Sequence, residues 1–407
     1  SYLNSIKENQ KRHIPSYIHK IIDKNYNKKF FKPWKLSKKN AKKNDILWAF
    51  KRFHKTKGYG ENKKKLPKNW LLSIKKKATL DSFPNFIQTG ITIKNTNLRL
   101  LPTHKPHFSH FKSNNEGFPF DNLQNSTIAA GTPIMIYHIT THKDWVFAVS
   151  GFAKGWINIH DIAYAGPKFK KNYTKNKEFI AITKENLPLL SQKKQFLFDS
   201  HIGMIFPKVK RLKNSFLIKV PQASSKRFAY IDYASISIKN ARTKPIPLTT
   251  KNIAKIANQL LDQPYGWGGL YQNRDCSAMI QDLFVPFGIW LPRNSKAQAQ
   301  KGGTYFDLST LSPNEKETLI IKNSIPYLTL IWLPGHIMLY IGKNNNKAIV
   351  FHNIWGLRTR DELGRKIIGK SVITSLDPGK GMPNIDPDAS LIKNVQGLTL
   401  LVPRYNL

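Results

Sequence analysis

At 407 residues, 40% of them hydrophobic, the chain is long enough for about two to four units at roughly 150 residues per domain, and no apolar run approaches the roughly 20 residues that cross a bilayer. Lysine and arginine number 66 against 24 acidic residues, a net charge of +42 whose field gathers polyanions. Zinc-finger spacing, basic-zipper heptads and an aromatic RNA-binding signature are all missing, so nucleic acid is disfavoured against peptidoglycan or another anionic envelope surface; a genome biased towards lysine is the alternative source of the charge.

The single cysteine, Cys276, leaves no internal disulfide framework and is either packing or chemistry. The sequence opens at Ser1 without methionine, which is compatible with a removed leader and hence with a periplasmic or secreted protein, and equally with a trimmed chain.

Residues 1–85 carry lysine clusters (Lys28-Lys29, Lys38-Lys39, Lys63 to Lys65, Lys75 to Lys77) interrupted by Phe30, Phe31, Trp34, Trp48, Phe50 and Trp70. Disordered tails seldom hold so many large aromatics, so this reads as a partly helical clip whose rings clamp onto the protein while the lysines stay in water. A merely solvated basic arm is the other reading.

From about residue 86 the apolar pattern alternates, as in Ile134-Met135-Ile136, Trp145 to Val149 and Gly155-Trp156-Ile157, with hairpin links at Thr141 to Asp144 and Gly151 to Gly155. A small antiparallel barrel is expected over 86–170, and a second over 171–245 from Phe179 to Ile182, Phe216 to Val220 and Tyr230 to Tyr233. The stretch Thr243-Lys244-Pro245-Ile246-Pro247 marks a linker, since proline does not continue a central strand. A last domain, 246–407, then begins with a helix capped at Thr249 or Thr250, its apolar face Ile253, Ile256, Ala257, Leu260 and Leu261.

After the glycine-rich loop Pro264 to Gly269, the run Arg274-Asp275-Cys276-Ser277-Ala278-Met279 places Cys276 at a helix N-terminus. There the macrodipole and free N–H groups are expected to favour a thiolate and to receive an oxyanion. A thiolate needs a base, and His336 lies on the strand Gly335 to Gly342; a turn centred on Asn344 would set it directly opposite His352 on the returning strand, where His352 orients it. That register is an assumption, and a one-residue slip would send one histidine to the other face. The run His104, His107, His110 is interrupted by Pro106 and lacks a completing carboxylate or cysteine, so a metal-free, cofactor-free mechanism is expected.

The YGWGG loop, the DCSAM helix start, the LPRNS segment at 291–295 and the GHIMLYIG and VFHN strands together resemble the NlpC/p60 family of papain-like cysteine peptidases, over roughly residues 250 to 405. The resemblance implies Cys276 as nucleophile, His336 as base and His352 as third member, with Tyr265, Trp267, Asp275, Ser277, Arg293 and Ser295 lining the substrate groove and Asp275 and Ser277 binding the amine of an N-terminal L-alanine. Ala278 stands where the family commonly has glycine. Upstream, Phe31 to Trp34, Asn97 to Thr103 and Glu116 to Asp121 resemble members with a clip and two bacterial SH3-like domains, which implies Glu116 as the barrel's contact with the substrate ammonium.

The expected fold class is α+β: a papain-like catalytic domain preceded by two small SH3-like β-barrels and a partly helical N-terminal clip. The implied activity is hydrolysis of the amide between γ-D-glutamate and a diamino acid, usually meso-diaminopimelate, in peptidoglycan stem peptides or muropeptides. The rival readings are a non-catalytic cell-wall binding protein, an acyltransferase or amidase on the same fold, and charge-driven nucleic-acid binding.

Overall fold

A computed structural model describes residues 11–111, 117–360 and 364–403. These divide into two compact units, one formed by residues up to 24 with 245–266 and 273 onward, the other by 25–244 with 267–272.

In the second of these units, helix α1 (Ser16–Phe30) enters at Asn25 and is followed by α2 (Lys43–His54) and α3 (Trp70–Ala78). Ile46, Ala49, Phe50 and Phe53 recur at helical spacing on α2 and are buried, while its lysines stay out. They pack with Ile74 and Ala78 of α3 against Leu100, Leu101, Leu123, Trp145 and Trp156, each large side chain contributing about 1.5–3 kcal/mol. Phe31 lies 5.5 Å from Phe179 and the Trp34 indole donates to the Gly90 carbonyl at 2.8 Å. The aromatics therefore anchor this segment, with one qualification: Trp48 is 42% exposed.

The strands β1 (Gln88–Thr92), β2 (Thr96–Arg99), β3 (Gln124–Ile128), β4 (Pro133–Ile139), β5 (Trp145–Val149), β6 (Lys154–Asn158) and β7 (Ile162–Tyr164) form an antiparallel sheet in the order β3-β2-β6-β5-β4-β1-β7. Buried Arg99 on β2 pairs with Asp121 at 2.5 Å and donates to the Thr103 and Lys105 carbonyls at 3.1 and 3.0 Å, pinning the long β2–β3 connection. This loop carries the histidine run. His104 sits against Trp145 and His107 is buried between Phe53 and Trp70.

Helix α4 (Pro167–Thr174) leads to β8 (Phe179–Ile182), β9 (Leu187–Leu190), β10 (Phe196–Ser200), β11 (Ile205–Arg211), β12 (Ser215–Ala223), β13 (Ala229–Ser237) and β14 (Ala241–Lys244). Five pair in the order β13-β12-β11-β8-β14 and β9 pairs with β10, around a core that includes Ile180, Phe206, Ile218 and Val220.

The other unit holds α5 (Thr250–Leu260), α6 (Cys276–Phe284), α7 (Ser295–Lys301), α8 (Pro313–Asn323) and α9 (Leu391–Asn394) with β15 (Thr304–Asp307), β16 (Thr329–Leu333), β17 (His336–Asn344), β18 (Lys347–Arg358), β19 (Arg365–Ser375) and β20 (Gly397–Leu400). The Thr249 hydroxyl accepts from the Asn252 N–H at 3.2 Å and so starts α5. The strands form one antiparallel sheet in the order β15-β20-β16-β17-β18-β19.

The β17–β18 register differs from the expected one. Asn345 and Asn346 adopt φ of 46° and 55°, making a two-residue turn of the hairpin-favoring hand, with Asn344 paired to Lys347 and Leu339 to Phe351. A bulge between Tyr340 and Gly342 separates these two pairs, and continued outward from Leu339 and Phe351 the register sets His336 against Ile354 rather than His352. The displacement is two residues, so both histidines keep the same face and become diagonal neighbours.

Candidate active site

Cys276 is the first residue of α6, and the cap that starts the helix is Asp275, whose Oδ1 accepts from the Ala278 N–H at 2.8 Å. Oδ1 also accepts from the Ser277 hydroxyl at 3.0 Å and from Arg293 at 3.0 Å, and Oδ2 accepts the second Arg293 nitrogen at 2.7 Å. Arg293 donates to the Ser277 hydroxyl as well, at 2.9 Å. Burial works against the Asp275 charge, but the bidentate guanidinium and the helix N–H hold its carboxyl below the usual range.

The Arg293 loop is held by a side chain that the sequence reading passed over. Fully buried Gln298 on α7 donates to the Ser277 carbonyl at 2.8 Å and to the Pro292 carbonyl at 2.9 Å. Ser295 opens α7 beside its cap Asn294.

Cys276 is 7% exposed, and burial followed by the Asp275 carboxylate pushes its thiol up to about 12, with backbone groups of Ile337 and Ser277 and the charge of Arg293 opposing. This corrects the expected resting thiolate. The helix terminus does offer N–H groups to the sulfur, but desolvation outweighs them.

The Ile337 backbone that meets the sulfur belongs to β17, next to His336. His336 Nε2 lies 2.8 Å from His352 Nδ1, and His352 Nε2 lies 3.0 Å from the Thr374 hydroxyl on β19. That hydroxyl gives its proton to the Ser375 carbonyl at 2.7 Å, so it can only accept from His352. His352 therefore carries hydrogen on Nε2, His336 donates from Nε2 to His352 Nδ1, and Nδ1 of His336 is left with its lone pair. Burial lowers His336 to about 4, and burial with His336 beside it lowers His352 well below the usual value, so both rings are neutral at neutral pH.

Tyr265 packs against Trp355 at 5.8 Å, and burial, then Cys276 and Asp275, raises its phenol. Arg365 on β19 acts electrostatically on both Tyr265 and His336; it donates to the Gly356 carbonyl at 3.0 Å and leaves a buried Nε without a partner among the described residues. No local motif announced Arg365 or Thr374.

Trp267 folds with the barrel unit, where its indole donates to the Asp121 carbonyl at 3.2 Å and its ring meets Phe120 edge-on at 5.2 Å. Glu116 lies outside the described residues. Among the described residues no group of three or more His, Cys, Asp or Glu side chains is arranged to hold a metal ion.

A thiol, an imidazole with a free lone pair, an orienting second imidazole and a helix N-terminus are together chemically competent for acyl transfer through a thioester.

Four family models match the chain: the NLPC_P60 stabilising domain, N-terminal, over residues 1–83, an SH3 domain of the SH3b1 type over 106–158, an SH3 domain of the SH3b2 type over 168–212, and the NlpC/P60 family over 262–354. Among solved structures the chain is similar to an NlpC/P60 endopeptidase from Photobacterium damselae subsp. piscicida, at 26% identity over 98% of this chain and 96% of that one, with a TM-score of 0.87. It is more distantly similar to an NlpC/P60 family protein from Bacillus cereus ATCC 10987, at 16% identity over 69% of this chain and 83% of that one, with a TM-score of 0.49. A search of curated proteins gave no match.

Proposed function

Because the chain belongs to the NlpC/P60 family, with an N-terminal stabilising segment and two bacterial SH3 domains, we propose that it is a cell-wall cysteine endopeptidase that hydrolyses the amide between γ-D-glutamate and a diamino acid, meso-diaminopimelate, in peptidoglycan stems. The observation that carries the reading is the hydrogen-bond chain from Ser375 through Thr374 and His352 to His336, which fixes the tautomer a base requires. The full-length likeness to a protein described as an endopeptidase supports it. A peptidoglycan substrate places the work in the periplasm or outside the cell, and no described helix is long and apolar enough to cross a membrane.

In this reading His336 Nδ1 takes the thiol proton as the sulfur attacks the γ-carbonyl carbon. Backbone N–H groups at the start of α6 receive the oxyanion. The C–N bond then breaks, His336 returns the proton to the leaving amine, and a thioester to Cys276 remains. Water, deprotonated by His336, releases the acid. The amine of an N-terminal L-alanine is assigned to Asp275 Oδ2, which takes one donor where Oδ1 takes three. Tyr265, Trp267, Ser277, Arg293 and Ser295 are proposed to line the groove, and Glu116 to meet the substrate ammonium.

The test is incubation with L-Ala-γ-D-Glu-diaminopimelate and with digested peptidoglycan, read by mass spectrometry. Release of L-Ala-γ-D-Glu is expected; intact substrate in both would sink the proposal. A second reading is binding without turnover, in keeping with the burial and the neighbouring Asp275 carboxylate that push the Cys276 thiol up to about 12. Slow alkylation by iodoacetamide is expected under both readings, so product release, not thiol reactivity, separates them.

Two expectations follow from the relay. Since His336 acts as a base only when neutral and titrates at about 4, kcat/KM should hold from pH 7 to near pH 5 and fall as pH drops through about 4. An acid limb centred near 6.5 in the measured profile would mean that burial does not depress this ring. Thr374→Val removes the acceptor that orients His352 and should lower kcat about tenfold with KM little changed; unaltered kcat would show that the tautomer is fixed elsewhere.

A further inference from the structure

The peptidase chemistry leaves unused a cleft of about 970 Å³ in the barrel unit, lined by α2, α3 and the segment between them. Its walls are apolar: Phe50, Phe53, Leu66, Trp70, Leu71 and Leu72. Leu72, on α3, is 65% exposed at its edge. Its charged lining is of one sign: Lys51, Lys55, Lys57, Lys65, Lys68 and Lys75, with no carboxylate among the lining residues. The two carboxylates between residues 43 and 80 are elsewhere, Asp45 paired with Lys154 and Glu61 exposed.

All six lysines are exposed while Phe50, Phe53, Leu66, Trp70 and Leu71 are buried or half-buried, which makes an amphipathic site, apolar within and cationic at the rim. A second feature lies at the inner wall. His107 is 2% exposed; the Asn122 amide meets its Nδ1 at 3.3 Å, so hydrogen sits on Nε2, which has no partner among the described residues and lies against Gly58. A cleft with this lining fits neither a neutral sugar, which needs acceptors and donors throughout, nor a cation.

We propose that the cleft takes an acyl chain of an anionic bilayer lipid, the chain lying on Phe50, Phe53, Trp70 and Leu71 and the head group among the rim lysines. The exposed Leu72 favours a bilayer over a free acyl compound, since it would enter the interface at the mouth of the cleft. The site would thus hold the enzyme at an envelope membrane by a defined contact rather than by diffuse charge.

Co-sedimentation of the full chain with phosphatidylglycerol and phosphatidylcholine vesicles tests this. Binding to the anionic vesicles alone is expected, falling about tenfold or more in Leu72→Asp, which trades an inserted apolar side chain for a charge. Lys239→Glu, an exposed change of larger charge in the second barrel, should leave binding nearly unchanged. Equal losses in the two variants, or none in Leu72→Asp, would reduce the effect to adsorption by the lysine coat and overturn the site. One-to-one binding of dodecyl phosphate without vesicle binding, or capture of an acidic amphipathic peptide in its place, would overturn the bilayer assignment. Unchanged melting of Leu72→Asp separates these outcomes from misfolding.

Discussion

Replacing Cys276 with alanine is expected to lower kcat/KM on L-Ala-γ-D-Glu-diaminopimelate by at least about 10⁴-fold, to the level of the buffer. The sulfur is the sole thiol of the chain, so no neighbouring thiol can take over. Folding should survive, because the change removes one atom from a small buried side chain and frees two backbone contacts at Ile337 and Ser277, a cost of about 1–2 kcal/mol. His336→Ala should be as severe, and the double variant no worse than either, since nucleophile and base act as one unit. Cys276→Ser is a sharper probe. It preserves the hydrogen bonds but offers an oxygen still harder to deprotonate, so it should be stable and inactive. Mass-spectrometric rates and thermal melting measured on the same samples decide the matter. Activity of Cys276→Ala within tenfold of the parent would remove the sulfur from the reaction.

The position of Cys276 was legible because its signal is local: a capping aspartate, a small residue, and an apolar face repeating through Met279, Ile280 and Leu283. The pairing of His336 with His352 was legible in its face but not its register: the shift at the turn is odd, and the bulge between Tyr340 and Gly342 makes it even at the histidines, so both keep one face. The turn was placed wrongly because three consecutive asparagines offer several left-handed positions, and the chain uses Asn345 and Asn346. The charge state of the thiol was misjudged for another reason. A helix N-terminus is visible in sequence, whereas the degree to which Cys276 is desolvated depends on β17, 60 residues later. Thr374 and Arg365 on β19 lie near this chemistry only through the β18–β19 ladder, which no spacing rule identifies. Trp267 reads as part of the catalytic loop because it precedes Cys276 so closely, yet left-handed Gly268 and Gly269 carry the chain onto β3: a side chain at either would strike Gln124 or Thr127.

Arg293→Ala is expected to have the largest effect on stability, about 3–5 kcal/mol, because it strands the buried Asp275 carboxylate without its bidentate partner. The side chains of this pair are 11% and 13% exposed, so solvent screens little of the loss. The sign of its pH dependence follows from Asp275. In the parent protein the folded-state pKa lies below the ordinary 3.8, so its contribution is present above that value and is lost as pH falls through the depressed pKa. Without Arg293 the burial that already opposes ionisation dominates and raises the folded pKa above 3.8, so the variant should lose stability as pH rises from there. The gap in melting temperature between parent and variant should accordingly be wide at pH 7 and narrow towards pH 4.5; a gap independent of pH would mean that water replaces the guanidinium. Arg293→Lys keeps the charge but not the planar fork, and should lie between. Combining Asp275→Asn with Arg293→Met should be milder than Arg293→Ala alone, since asparagine still caps α6 and no buried charge is orphaned. Activity should not return in that double variant, because the carboxylate is then gone from the place where the substrate amine is proposed to dock.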